Sequence, residues 1–589
     1  MASDSYYIGV DVGTGSARAT IVKQDGTVLG SSTQETTTWR DAHDHRIFEQ
    51  STNNIWAGIS TAIKEILAES KIPASAVKGI GFDATCSLAV SDMNGEPVVV
   101  TKGHELGEIG DRNVVLWADH RAEQEANLIN STGSVVLDYV GGTMSLEMEL
   151  PKVLWLKKHM KPELFSRCQF FDLPDFLTYK ATGESTRSCC SVTCKCSYVP
   201  NKGWQADFFE KIGLGDLVDG GNFKQLGAAN GDVVTAGLPV GKGLSKQAAD
   251  EFGLVEGTPV GSGLIDAYAG WMGTVAARYK ENGKLSDVLP SLDESRHRLA
   301  AVAGTSTCHI VQSPEGVFVN GVWGPYKDAV FPGWWMNEGG QSSTGQLIDF
   351  ILTTHPAYHK LKQKAEYEKS NIHQVLQELL EKLREENHAE SLTELCKDMH
   401  FYPDLHGRLL ANRFDNAANP EDQVIDRQSQ ILACGSDGLH DIARKYYLTL
   451  EAIALQTRHI VDEMNAKGHT ITSIYMSGGQ AKNTQMMQLF ANTCNMPVVL
   501  PFSHSLAVVL GAAMLGRFAA EATAQKITGG DKIGEALWKI MVEMTPQGTA
   551  IAPAASAKEK KLLEAKYKIF RESIDIQKRW RQEMEDASK

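Results

Sequence analysis

Apolar residues along this chain come in short runs that end at polar, glycine-rich turns. The clearest case is Tyr6-Tyr7-Ile8, which leads into Gly9-Val-Asp-Val-Gly-Thr-Gly-Ser-Ala-Arg18, after which apolar residues resume at Ala19-Thr-Ile-Val22 and stop at Asp25-Gly26. The pattern predicts two strands joined by a tight glycine turn. Leu299-Ala-Ala-Val-Ala followed by Gly304-Thr305-Ser306-Thr307-Cys-His-Ile310-Val repeats it, ending at Pro314-Glu-Gly316. Between and beyond these hairpins the periodicity predicts a helix over 54–68, a strand, polar turn and strand over 77–90, a short buried strand over 114–117 that ends in Asp119-His120-Arg121, and a helix over 151–159. Ile471 to Met476 reads as a strand running into Ser477-Gly478-Gly479-Gln480-Ala481-Lys482-Asn483, and 507–520 as an apolar helix interrupted by Arg517. Segment 355–400, rich in Lys, Glu, Gln and Leu, predicts a solvated helical insertion, and 556–589 a charged helical tail on the surface.

The turn after Ile8 carries phosphate chemistry. Gly13 and Gly15 let backbone N–H groups crowd an anion, Thr14 and Ser16 add hydroxyls, and Asp11 suits an Mg²⁺ that travels with phosphates. A dinucleotide fingerprint beginning at Gly13 would need a small residue at position 18 and then a helix; Arg18 and the alternation after it argue against that reading. A plain glycine-rich hairpin is the competing reading, and the copy at Gly304 weakens it. In that copy Val302 stands opposite Asp11, so one carboxylate serves two grips, as expected of one nucleotide clamped between related halves. Gly263-Leu-Ile-Asp266 begins a helix of small residues; Asp266 can serve as a helix cap and as a base held near a phosphate site. Trp334-Trp335 with Glu338 and Gln341 suits either a sugar-binding wall or core packing.

Length and charge narrow the field. A chain of 589 residues is long enough for two large domains. Its net charge of −14 arises from 72 acidic and 58 basic residues without basic blocks, which argues against nucleic-acid or anionic-membrane partners. No run reaches the ~18 apolar residues of a membrane span, and the N-terminus lacks a leader pattern, so a cytoplasmic location is expected. The ten cysteines are scattered apart from Cys189-Cys190 and Cys194-Lys195-Cys196, which lack zinc-ligand spacing. No Gly-x-x-x-x-Gly-Lys-Ser/Thr run occurs, which excludes a P-loop kinase on motif grounds.

Asp11-x-Gly-Thr-x-x-x-Arg18, Gly263-Leu-Ile-Asp266-Ala, Gly304-Thr-Ser-Thr and Gly478-Gly-x-Ala-Lys-Asn483, in this order, resemble the FGGY carbohydrate kinase family over nearly the whole chain. Thr85-Cys-Ser-Leu88, Trp117-x-Asp-His-Arg121, Cys194-Lys195 and Trp323-Gly-Pro-Tyr326 resemble its pentulose kinase branch, eukaryotic D-ribulokinases in particular. The resemblance implies an α/β fold of two actin-like (ribonuclease H-like) ATPase domains flanking a catalytic cleft: 1–280, a connection over 281–298, 299–555 with the helical insertion, and the tail at 556–589. It implies ATP and Mg²⁺ as cofactors. Asp11 and Asp266 would hold the metal, Gly13, Thr14, Arg18, Gly304, Thr305 and Ser306 the phosphates, and Gly478, Gly479 and Asn483 the adenosine. Asp266 would be the catalytic base, and Cys86, Asp119, Lys195, Asp266 and Glu338 would line the sugar site. The expected reaction is phosphorylation of the terminal C5 hydroxyl of D-ribulose by a monomer or homodimer; L-ribulose, xylulose or ribitol kinases are the alternatives within the class, and an actin-like ATPase switch the alternative outside it.

Three positions depart from the family pattern. Cys196 stands where close relatives have Trp, Glu149 where the family has Pro, Ser or Thr three residues before Lys152, and Arg408-Leu-Leu-Ala where Asn-Arg-Ser-Pro is expected after Asp404-Leu-His-Gly407.

Overall fold

Each glycine turn closes a hairpin that organises its own half of the molecule. In the computed structural model, which describes residues 5–219, 222–227, 233–281, 284–285, 288–403, 438–502 and 504–589, strands Tyr6–Val12 and Ser16–Lys23 pair antiparallel, and so do Arg298–Ala303 and Thr307–Ser313. Antiparallel strands Val28–Glu35 and Trp335–Gln341 flank the hairpins on one side. Parallel strands flank them on the other: Val77–Ala84 then Leu264–Ile265 in the first half, Ser473–Gly478 then Val498–Pro501 in the second. With the five strands just named in each half counted along the chain, the five-stranded first sheet and the centre of the nine-stranded second sheet have the same order, 3-2-1-4-5, with the same directions. The repeated motif in the sequence therefore marks a duplicated α/β sheet, the two-domain actin-like architecture.

The strands alternate in the way a sheet covered on both faces requires. Ile8, Val10 and Val12 join Ile80, Phe82 and Ala84 in one core beneath helix Thr52–Ser70. On the opposite face the sequence supplies glycines, and helix Ala507–Gln525 from the far end of the chain lies against them. A Cβ at Gly9 would stand 2.0 Å from the Val509 carbonyl oxygen, at Gly79 2.0 Å from that of Gly516 and at Gly81 2.1 Å from that of Ala512. This helix is the one among the described residues long and apolar enough to cross a membrane, and it is a core helix, 72% of its apolar window being buried. Arg517 is neutralised inside it by Glu521 and Glu543.

The region 355–400 is less solvated than its composition suggests. Helices Tyr358–Glu368 and Ile372–Glu386 bury Leu361, Ala365, Val375, Leu376, Leu380 and Leu383, five of them in the second core with helix Leu439–Ala466. The tail helix Ala557–Ala587 is likewise docked through Leu563, Tyr567, Phe570 and Ile574. Lys566 is buried with it, donating to the carbonyls of Cys396 and Met399 at 2.8 and 2.9 Å and to Glu451 at 2.6 Å. Residues 404–411, which carry the third departure from the family pattern, lie outside the described residues.

Candidate active site

Period-two geometry carries the glycine faces of the first sheet on into carboxylates. Gly9 is followed two residues later by Asp11, and Gly81 by Asp83, so both acids leave the sheet on the side covered by helix Ala507–Gln525. Asp11 and Asp83 are register partners on adjacent parallel strands, and Asp266 begins the helix after the next strand, Leu264–Ile265. Three carboxylates thus stand in a row at the carboxyl ends of three neighbouring strands, where open α/β sheets place their ligands. Asp83 was not singled out by sequence reasoning, although the twin Gly-x-Asp spacing on two apolar runs was there to find it.

Charge crowding governs this row. Burial, then the charges of Asp11 and Asp266, push Asp83 well above the ordinary carboxylate range. Burial also raises Asp11, countered by its cross-strand neighbour Arg18. Asp266 is pushed up to about 7, first by burial and then by Asp11. One Asp266 oxygen accepts from the Ala267 N–H at 2.7 Å, but Asp266 is the first helical residue and Ile265 holds the cap position, so it is not the cap expected from the sequence. Asp266 also lines the cleft and can accept a proton there.

The cleft between the two halves encloses about 400 Å³. Asp11, Gly13 and Thr14 line it from one side, and Gly304, Thr305 and Ser306 from the other. A Cβ at Gly13 would meet nothing closer than 3.8 Å, and at Gly15, Gly304 or Gly479 nothing within 4 Å. Neither packing nor a positive φ demands glycine there, whereas an anion approaching the bare backbone would. The tip of the first hairpin is pinned: Gly13 N–H donates to the Ser16 carbonyl at 2.9 Å, Gln50 Nε2 to the Thr14 carbonyl at 2.8 Å, and Trp117 Nε1 to Thr14 Oγ1 at 3.0 Å. Arg18 reaches Thr33 and, across the domains, the Ser505 carbonyl at 3.4 Å, without lining the cleft. Gly478 needs its glycine for packing, since a Cβ would stand 2.1 Å from the Ala303 carbonyl oxygen. Asn483 caps helix Thr484–Cys494 through the Met486 N–H at 3.0 Å and donates to Tyr446 Oη at 2.7 Å, so its side chain is spent on structure.

Opposite the phosphate grips, the pocket is lined by Cys86, Lys195, Glu338 and Glu147. Lys195 follows helix Cys189–Cys194, and its ammonium lies 4.1 Å over the Trp323 ring. Burial alone would lower its pKa, but Cys86, Glu338, Tyr326 and Glu147 outweigh it and keep the group charged. Glu338 projects from strand Trp335–Gln341. Asp119 is not brought to the cleft: it is fully buried, held by Arg121 at 2.7 to 3.0 Å and by the Phe48 N–H at 2.8 Å. Trp334 and Trp335 do not line the pocket either; Trp117 does, and Trp323 supports it from beneath Lys195.

Two departures from the family pattern meet behind this pocket. Cys196 Sγ donates to Glu149 Oε2 at 3.0 Å, and the Glu149 N–H donates to the Lys195 carbonyl at 3.1 Å. Glu149, next to Asp172 in the interior, is held well above the carboxylate range, chiefly by burial.

Among the described residues no group of three or more His, Cys, Asp or Glu side chains is arranged to hold a metal alone. Asp11 and Asp266 at the cleft fit the other mode, in which Mg²⁺ keeps its waters and takes one or two carboxylates plus phosphate oxygens.

A duplicated sheet with two bare glycine turns, a buried carboxylate between them and a polar pocket beyond defines a phosphotransferase of the two-domain ATPase fold. The chain belongs to the FGGY family of carbohydrate kinases: the family's N-terminal domain matches residues 6–273 and its C-terminal domain residues 299–520. It is therefore a sugar kinase that takes its phosphate from ATP. It is 42% identical to a D-ribulokinase of Saccharomyces cerevisiae over 530 residues, covering 88% of this chain and 72% of that one. It is 38% identical to the human FGGY carbohydrate kinase domain-containing protein over 584 residues, covering 99% and 98%. The fold matches the crystal structure of a xylulose kinase from Rhodospirillum rubrum with a TM-score of 0.69 at 16% identity, covering 98% and 99%.

Proposed function

We propose that the enzyme phosphorylates the terminal C5 hydroxyl of D-ribulose, giving D-ribulose 5-phosphate. The observation that carries this reading is the position of Asp266, at the carboxyl edge of the first sheet, in one cavity with both phosphate grips and with Lys195 and Glu338. The likeness to the yeast D-ribulokinase supports the choice of sugar.

In this mechanism Lys195 and Glu338 hold the sugar by its oxygens, a cation donating and a carboxylate accepting. Asp266, ionised above about pH 7, takes the proton of the attacking hydroxyl. The backbone at Gly13, Gly304 and their neighbours steadies the phosphate chain, and positioning with electrostatics supplies most of the acceleration. Asp11 and Asp266 would hold Mg²⁺, which would supply positive charge against the transferring group. Closure of the halves over the cleft excludes water and limits futile hydrolysis. The cytosol is the proposed compartment, supported by the free thiols of all nine described cysteines.

The test is ATP consumption by the purified enzyme across D-ribulose, L-ribulose, both xyluloses and ribitol, with the product's phosphate position read by NMR. D-ribulose is expected to give the highest kcat/KM and a C5 phosphate. A higher value for another sugar, or a phosphate elsewhere, replaces the assignment.

A further inference from the structure

No motif pointed to Glu147, yet the loop before helix Glu149–His159 sets this residue in the wall of the cleft. Glu147 is 5% exposed and lines the same cavity as Lys195, Glu338 and Asp266. Its backbone N–H donates to Ser145 Oγ at 3.2 Å, and two residues on, the Glu149 N–H donates to the Lys195 carbonyl at 3.1 Å. The strand of chain bearing Glu147 is thus stapled to the residue that supplies the pocket's cation.

The charge balance of the sugar pocket follows. Lys195 is the one cationic side chain lining this cavity, against the carboxylates of Glu147 and Glu338. The lining side chains therefore carry an excess of negative charge in a largely buried space, where charges interact more strongly than in water. Such a pocket receives hydroxyl hydrogens well, because charge-assisted hydrogen bonds to carboxylate are stronger than neutral ones. It receives a carboxylate or phosphate poorly.

We propose that Glu147 is a substrate-contacting specificity residue that, together with Glu338 from the opposite half, accepts hydroxyl hydrogens of a neutral polyhydroxy substrate and rejects sugar acids of the same length. The inference deepens the sugar-kinase assignment and takes from the D-ribulose reading only the choice of probe.

The experiment compares the wild-type enzyme with Glu147→Gln, which keeps the shape and removes the charge, and Glu147→Asp, which keeps the charge and withdraws it. Three quantities are measured: KM and kcat for the neutral sugar that the wild type uses best, KM for ATP, and inhibition by D-ribonate, the five-carbon acid. Glu147→Gln is expected to raise the sugar KM by about tenfold to a hundredfold, the range for losing a hydrogen bond to a charged group. The KM for ATP should stay unchanged, and D-ribonate should become a stronger competitive inhibitor. Glu147→Asp should weaken sugar binding while still excluding D-ribonate, and it reads the same prediction if the glutamine variant does not fold. An unchanged sugar KM with unchanged D-ribonate inhibition overturns the proposal, as does a wild-type enzyme that phosphorylates D-ribonate in preference to every neutral sugar. Preference for a neutral sugar other than D-ribulose overturns the proposed substrate and leaves the role of Glu147 standing.

Discussion

Asp266 carries the mechanism on a single ionisation. With its pKa pushed up to about 7 by burial and by Asp11, the proton acceptor is present above that pH and lost below it. kcat/KM for the sugar, which reports the free enzyme, should therefore fall on the acid side of about pH 7, and Asp266→Asn should lose about 10²–10⁴-fold or more in phosphoryl transfer while still binding ATP by calorimetry. Near-normal turnover in that variant would remove Asp266 from the role of base. The same shift has a cost in stability. Because the folded pKa lies above the ordinary value of 3.8, folding favours the neutral acid, so the residue destabilises the fold increasingly as pH rises from about 4 through about 7. Metal-free Asp266→Asn should melt above the wild type at pH 8, and the difference should vanish toward pH 4; equal melting temperatures at pH 8 would contradict the shift. Residues were unevenly legible in the sequence. Asp11, Asp266, Lys195 and Glu338 stood in recognisable patterns and meet in the cleft. Asp119 stood in one too, but Arg121 two residues on satisfies its carboxylate, and local pairing of that kind depends on side-chain direction, which a string of letters does not carry. Asp83 repeats the Gly-x-Asp spacing of Asp11, but only the register between distant strands puts the two side by side, and Glu147 sits in an irregular loop that no pattern marks.

Among the elements, hairpins were the most legible because a tight turn is specified by residues adjacent in the chain. Helix Ala507–Gln525 was legible as a buried helix but not in its partner, since its packing against Gly9, Gly79 and Gly81 joins segments more than 400 residues apart. That contact admits no side chain. Gly81→Ala would drive a Cβ to 2.1 Å from the Ala512 carbonyl oxygen, and the strain should destabilise by ~1–3 kcal/mol or more, seen as a lowered denaturation midpoint. A midpoint equal to wild type would mean that the helix can shift at no cost. The tail helix lies on the surface as its charges imply, and five buried residues dock it there. Lys566 is its anchor: replacing it with Met leaves Glu451 and two backbone carbonyls without their donor. Lys566→Met should accelerate amide exchange over the helix Ala557–Ala587 while sparing the first sheet; unchanged exchange there would show the apolar contacts to be sufficient.

For the whole molecule, the cleft is an active site only when both halves contribute, since the grips at Gly13 and Gly304 arise from different sheets. Sugar and nucleotide together should draw the halves closer, measurable as a smaller radius of gyration in solution scattering than with either ligand alone; no change with both would argue for a preclosed cleft. The helix that lies on the first sheet has a further consequence, for how the chain comes into being. Strands of the first sheet leave the ribosome early, but the cover for their glycine face is made only after residue 507, so that face waits bare through most of synthesis. Cutting the gene at the junction between the halves would give a first fragment with an open hydrophobic wound and a second with an orphaned helix. Neither half is finished without the other, because the glycine face of the earliest strands stays uncovered until helix Ala507–Gln525 is made.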